Sequence, residues 1–300
     1  MTVDVEKLKE RMVEFIHGLQ DDICGALEQL DGKARFREDP WQRPGGGGGR
    51  SRVLEDGAVL EKGGVSTSVV FGELEEAFAQ KLQGEGRTFW AGGISLVLHP
   101  RNPHVPTVHA NYRFIHQGGK AWFGGGADLT PYYLYEEDAA HFHRVHKEAC
   151  DRHDPAYYPR FKETCDKYFH LRHREESRGV GGIFFENLGG DLEREFALVR
   201  DAGRAFLPAY LPIAERRKEM PFTEAQRFWQ EVRRGRYVEF NLVWDRGTTF
   251  GLETKGRTES ILMSLPPQVR WRYDHHPAPG SEEARLVEVL RNPRDWAGAR

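Results

Sequence analysis

Between residues 107 and 116 the chain reads Thr-Val-His-Ala-Asn-Tyr-Arg-Phe-Ile-His, a pattern that leaves the backbone little choice. Val108, Ala110, Tyr112 and Phe114 alternate with Thr107, His109, Asn111 and Arg113. Successive side chains on a strand point to opposite faces, so the segment is a strand with one apolar and one polar face. Pro100, Pro103 and Pro106 bar a helix just ahead of it and imply a tight connection from a strand over 94–99. If those two strands pair, Ser95 and His99 come close to His109 and Arg113. Same-face neighbours stand about 6.6–6.8 Å apart, so His109, Asn111 and Arg113 form a straight polar row. Such a row is either a face turned to water or the lining of a cleft for a polyanion.

Elsewhere the periods change. Val5, Leu8, Met12, Phe15, Ile16, Leu19, Ile23, Leu27 and Leu30 recur at intervals of three and four, predicting an amphipathic helix that fills residues 1–32 and ends near Gly32. Residues 36–52 hold Pro40, Pro44 and the glycine run 45–49, and read as a mobile loop. Without a following Gly-Lys-Ser/Thr the run is no phosphate cradle. A further strand is expected at 65–71, and helices at 73–82, 137–153, 159–174 and 192–213, the last bent at Pro208. Thr223-Glu-Ala-Gln226 has the form of a capping box for a helix reaching Val232. Val238, Phe240, Leu242 and Trp244 alternate with polar residues and predict a strand over 237–245; Val269, Trp271 and Tyr273 predict another. Strands broken by turns, with helices segregated from them, place the chain in the α+β class. The expectation is a single domain over 1–300 with a broad, mainly antiparallel sheet flanked by helices.

Composition narrows the partners. The 43 basic and 46 acidic residues nearly cancel, which argues against nucleic acid or an anionic membrane surface. No apolar run approaches the roughly 20 residues of a membrane span, and the first residues lack the features of a signal peptide. Cys24, Cys150 and Cys165 are odd in number and lack CxxC spacing, so neither a disulfide frame nor a cysteine metal site is expected. A soluble, reduced, cytoplasmic protein is.

The chemistry is concentrated in Trp122-Phe-Gly-Gly-Gly-Ala-Asp-Leu-Thr-Pro-Tyr-Tyr133. Glycines there permit unusual φ values or close approaches. Asp128, an acid in aromatic company, is a candidate for a shifted pKa and for catalysis. The plainer alternative is a turn whose Asp caps a helix beginning near Pro131. Thirteen histidines are available as ligands or bases. His141 and His143 lie about 200° apart on a helix and cannot share a site, whereas His143 with His146, or His170 with His173, can. Neither HExxH nor a strand–GxGxxG–helix unit occurs. Arg174, Arg178, Arg270 and Arg272 are further cations for a carboxylate, or else solvated charges.

These strings carry a likeness. Residues 95–100 and 106–113, 122–133, 141–143, 179–185, 237–247 and 257–266 together resemble the oxygen-dependent coproporphyrinogen III oxidases, over nearly the whole chain beyond the first helix. The resemblance implies aerobic oxidative decarboxylation of two propionates of coproporphyrinogen III to vinyl groups, giving protoporphyrinogen IX, carbon dioxide and reduced oxygen in haem biosynthesis. It implies a homodimer, a porphyrinogen substrate and molecular oxygen as co-substrate. Substrate binding would fall to Ser95, Asn111, Tyr112, Arg113, Lys255, Gly256 and Arg257, although Lys255 departs from the family's glycine-containing loop. His99, His109, His143 and His173 would hold a divalent metal cation such as manganese, with His109 also a proton donor. Asp128 would meet the pyrrole N–H groups and assist deprotonation, and Arg113 would either hold the reacting carboxylate or polarise a peroxo intermediate. No flavin, haem or nicotinamide motif appears, as suits a substrate that supplies its own electrons. Two readings compete: a histidine-ligated metal oxygenase or hydrolase of another class, and a non-catalytic tetrapyrrole-binding protein.

Overall fold

The alternating segment lies inside a seven-stranded antiparallel sheet, seen in a computed structural model that describes residues 3–80, 83–253 and 256–298. Its strands are β1 (Arg37–Gln42), β2 (Gly47–Glu55), β3 (Leu60–Glu73), β4 (Thr88–Pro100), β5 (Thr107–Gln117), β6 (Lys120–Thr130) and, after a small hairpin of β7 (His170–Leu171) and β8 (Glu176–Ser177), β9 (Gly181–Leu188). They lie in the order β1-β2-β3-β4-β5-β6-β9. The helices are α1 (Val5–Asp31), α2 (Glu76–Ala79), α3 (Glu136–Asp151), α4 (Tyr157–Tyr168), α5 (Leu192–Arg204), α6 (Phe206–Arg217), α7 (Glu224–Glu239), α8 (Arg246–Glu253), α9 (Thr258–Leu262) and α10 (Glu282–Arg291). The α+β expectation, one sheet flanked by helices, holds.

One face of the sheet is core. Val108, Ala110, Tyr112 and Phe114 of β5 are all buried there with Ile94, Leu96 and Leu98 of β4 and Phe123, Ala127 and Leu129 of β6. Against them pack Leu8, Met12, Ile16, Leu19 and Ile23 of α1, Phe196 and Val199 of α5, and Tyr210 and Ile213 of α6. The rings of Phe114 and Phe123 stack at 4.6 Å, and Phe123 stacks on Phe196 at 6.0 Å. Each such side chain contributes about 1.5–3 kcal/mol on burial. Helix α1 follows its apolar stripe: Asp4 caps it by accepting from the Glu6 and Lys7 amides, and Gly32, at φ 72°, ends it. Its last residue, Asp31, accepts from the amides of Val59 and Leu60, both at 2.9 Å, and so pins α1 to the start of β3. The cysteines are free and buried.

Several local expectations fail, each for a physical reason. Residues 36–52 are the β1–β2 hairpin, not a loop. Gly46 and Gly47 take positive φ at the turn, and Gly49 stays in the strand because a Cβ there would lie 2.4 Å from the Trp41 ring. The triple glycine 124–126 likewise belongs to a strand, β6, and no helix begins at Pro131. None of the three has a positive φ; a Cβ at Gly126 would stand 2.2 Å from the Ile183 carbonyl of β9. Close approach, not turn geometry, demands glycine there.

Residues 237–245 form no strand. The capping box at Thr223 starts α7 as expected, but the helix runs past Val232 because Trp229, Val232, Tyr237 and Phe240 also match a helical stripe, and it ends in a π-helical turn, Phe240–Trp244. Residues 269–273 are irregular: Trp271 and Tyr273 are exposed, so neither face of the alternation has a core to meet. The helix expected at 73–82 is only α2, with Leu82 outside the described residues. That at 159–174 stops at Tyr168, and that at 192–213 is two helices parted at Ala205 rather than one bent at Pro208.

Candidate active site

The other face of the sheet carries a central band of small and polar side chains, bordered by Val97, Ile115, Trp122 and Trp41. The register runs Ser51–Ser66–Ser95–Asn111–Gly126 across β2 to β6, and beside it Gly49–Ser68–Gly93–Arg113–Gly124. Four strand spacings make this floor about 19 Å across. Its middle is low, because Ser68, Gly93 and Ser95 carry little side chain, while Trp41 stands over Gly49 at one edge and Asn111 and Arg113 rise at the other. The glycines at 93 and 124 flank Arg113: a Cβ on Gly124 would sit 3.0 Å from Arg113 Nε, so these positions leave the guanidinium its place.

At one end of the floor stands a hydrogen-bonded chain. His109 is registered opposite Asp128 across β5 and β6, and its Nδ1–H donates to Asp128 Oδ1 at 2.8 Å. Arg178, in the segment leading into β9, donates from Nη2 to both Asp128 oxygens at 2.9 and 3.0 Å and from Nε to Oδ2 at 3.2 Å. Acid and guanidinium are 1% and 3% exposed. Burial pushes the Asp128 carboxyl up, but the Arg178 charge and the His109 hydrogen bond outweigh it and hold its pKa below the ordinary carboxylate value. An ionised acid can only accept. A neutral His109 therefore carries its proton on Nδ1 and leaves Nε2 as a lone pair. That nitrogen lies 3.4 Å from Asn111 Nδ2, whose own Oδ1 accepts from Arg113 Nη1 at 3.3 Å. Arg113 Nη2 reaches Glu186 at 3.2 Å, and Glu186 also accepts from Arg246 at 2.7 Å.

This corrects one expectation. Asp128 does not present an oxygen to the floor, since both oxygens are taken beneath it; the group offered there is His109. Arg178, read from sequence as one of several cations, is the partner that fixes the acid. Phe169, Tyr237 and Phe240 surround its guanidinium at 4.0, 4.6 and 4.8 Å. Its position directly before Gly179-Val-Gly-Gly is the only signal in the sequence, because Asp128, Tyr237 and Phe240, which hold it, are distant along the chain.

The expected substrate set is divided. Ser95 is exposed, and Asn111 and Arg113 are partly exposed on the floor. Tyr112 points the other way into the core, where its hydroxyl donates to the Ala202 carbonyl at 2.9 Å. Lys255 lies outside the described residues. Gly256 sits between α8 and α9, and Arg257 pairs with Asp39 of β1. Ser260 of α9 meets Ser51 at 2.8 Å, so this segment lies over the β1–β3 end of the floor.

The expected metal ligands do not converge. His99 is bonded to Thr107 and, at 2.8 Å, to the Ser264 carbonyl. His143 is bonded to Tyr158 and the Val180 carbonyl, and burial pushes its pKa down to about 3. His173 lies between Glu239 and Trp244. Among the described residues no three His, Cys, Asp or Glu side chains are gathered to hold a metal ion. Four imidazoles with separate protein partners do not make a ligand set within this chain.

No helix among the described residues is long and apolar enough to cross a membrane. A family model described as Coproporphyrinogen III oxidase matches residues 11–296.

Proposed function

The chain belongs to the coproporphyrinogen III oxidase family, and we propose that it catalyses the oxygen-dependent member of that chemistry, converting coproporphyrinogen III to protoporphyrinogen IX in haem biosynthesis. The observation that carries this reading is the pairing of a low, small-residue floor with a lone-pair imidazole at its rim, held by a buried Arg178–Asp128 pair. A flat macrocycle needs a low surface bounded by groups that can grip its edges, and its pyrrole N–H groups need an acceptor.

In this reading the ring lies over Ser68, Gly93 and Ser95, the part of the rows left open beside Trp41 and α9, with its propionates toward Arg113 and Arg257. Arginine suits them because its fork matches a carboxylate. His109 Nε2 accepts a pyrrole proton, acting as general base, and Asp128 stabilises the imidazolium that forms. Loss of that proton makes the pyrrole a better electron donor to oxygen. Each propionate then loses carbon dioxide and one hydrogen, as a proton, from the carbon attached to the ring, and a proton equivalent to it restores the pyrrole N–H. Two electrons pass to oxygen and the remaining two carbons become a vinyl group. His109, reprotonated by the ring, can return that proton to reduced oxygen, which reconciles base and donor in one residue.

A homodimer accompanies this proposal: Leu242, Val243, Phe250 and Leu252 put exposed apolar surface on the π-turn and α8, the kind of patch that marks association. Balanced charge and free, buried cysteines favour a reduced, cytoplasmic setting. The test is incubation with coproporphyrinogen III without oxygen, followed by air. Carbon dioxide release and vinyl product only after air are expected. Turnover without oxygen would refute oxygen dependence, and binding without turnover would favour the non-catalytic alternative.

A further inference from the structure

Arg178 has one nitrogen, Nη1, that Asp128 does not engage. Its Nη1 donates to Asn241 Oδ1 at 2.9 Å, and Asn241 is itself 5% exposed. Asn241 is the second residue of the π-helical turn, which closes with the Asp245 amide donating to the Phe240 carbonyl at 2.9 Å. A π-turn adds a residue to the turn and so re-aims the side chains within and after it by up to about 100° relative to a continued α-helix. Such turns are rare and recur at functional sites. Here the widened turn delivers two contacts to the same guanidinium, the Asn241 oxygen at its tip and the Phe240 ring at 4.8 Å from it.

The residue type matters as much as the place. An amide oxygen satisfies the donor without bringing charge. A carboxylate would compete with Asp128 for Arg178 and add a negative charge beside His109. An apolar side chain would leave a guanidinium N–H unpaired in the interior, a loss that buried groups do not tolerate cheaply.

We propose that the π-turn is a positioning device for the reaction and that Asn241 is its positioning residue, locking Arg178 on Asp128 so that His109 keeps its proton on Nδ1 and a bare Nε2 toward the floor. This rests on the functional reading above in one respect, that the bare Nε2 is used in turnover. Asn241 reaches no group on the floor, so its replacement acts through Arg178, Asp128 and His109 in turn.

The experiment compares full-length wild type with Asn241→Leu, close in volume and lacking an acceptor, and Asn241→Asp, which retains one with charge. Nitrogen-15 NMR of histidine-labelled protein reads the tautomer of His109, whose signals are assigned by their loss in His109→Gln. Wild type is expected to show a protonated Nδ1 and a bare Nε2. Asn241→Leu should mix the two tautomers, and Asn241→Asp should move the ring-nitrogen signals away from their wild-type positions. With coproporphyrinogen III in air, kcat should fall about 10- to 100-fold in each variant, while KM stays within about 3-fold because no substrate contact is removed. A wild-type ring protonated on Nε2, or folded variants with wild-type spectra and kcat, would overturn the proposal. Expected spectra in a wild type that fails to turn the substrate over would support the positioning device and overturn the functional reading instead.

Discussion

Replacing Asp128 by Asn changes one oxygen to an NH2 and leaves shape nearly untouched, yet two separate losses follow from where that oxygen sits. Arg178 is 3% exposed and finds its countercharge in Asp128. Removing one partner of such a pair leaves an uncompensated buried charge, at about 3–5 kcal/mol. Domains are stable by about 5–15 kcal/mol, so the variant folds but melts earlier, by roughly 5–8 °C for a chain of this size. The second loss is catalytic. The introduced amide, turned toward His109, would donate to Nδ1 and force the proton onto Nε2, abolishing the lone pair at the floor. Comparable loss of an orienting carboxylate lowers kcat by about 10⁴, so a fall of about 10²–10⁴ is expected. The double variant Asp128→Asn with Arg178→Met separates the two effects, since deleting both charges removes the buried ion. Melting curves should recover most of the stability while carbon dioxide release stays at the level of the single variant. Recovery of turnover along with stability, or a single variant that melts with wild type, would refute the reasoning.

Other outcomes follow from the same geometry. Arg113→Ala should lower kcat/KM about 10- to 100-fold and reduce the salt dependence of KM, because it removes an anion partner at the floor. Glu186→Gln should do the reverse to binding: Glu186 accepts from both Arg113 and Arg246, so neutralising it frees two cations, and KM should fall about 2- to 5-fold in steady-state assays. Although burial opposes it, Arg174 and His173 hold the Glu239 carboxyl down to about 2 from an ordinary 4.5. A depressed folded-state pKa contributes stability above the unfolded value that is lost as pH falls, so up to ~3 kcal/mol should disappear between pH 4.5 and 2. Urea titrations of Glu239→Gln should have a flatter slope over that window. His146 is buried, its pKa pushed down to about 4 from 6.5. The unfolded chain therefore takes the proton first, and stability drains from pH 6.5 toward 4; His146→Phe should remove that part of the decline.

How much of this is legible in sequence depends on the range of the interactions involved. The floor strand is readable because alternation is local: Val108 to Phe114 on one side and His109 to Arg113 on the other require only adjacent residues. The β4–β5 pairing follows from the prolines between them. Tyr112 shows the limit of a carried-over role, since the same alternation that exposes Asn111 and Arg113 turns its ring into the core. Asp128 stands out in its glycine-rich string, but its orientation does not, because Arg178 lies 50 residues along the chain and Asn241 lies 113 along it. Alternation misleads at 237–245 because Phe240 fits a helical stripe with Tyr237 as well as a strand face with Val238, and the packing against Arg178 decides between them. The glycines at 45–49 and 124–126 read as freedom, when most of them answer to crowding by a neighbouring strand.

The sheet carries core and floor on opposite sides of the same strands, and this binds the protein's chemistry to its folding. A single inserted or deleted residue within β5 would exchange Tyr112 for Arg113, turning a guanidinium inward and a phenol onto the floor, so one slip ruins both sides together. Loop grafting cannot retune the floor itself, and tolerance for indels should be confined to the segments beyond the strand ends.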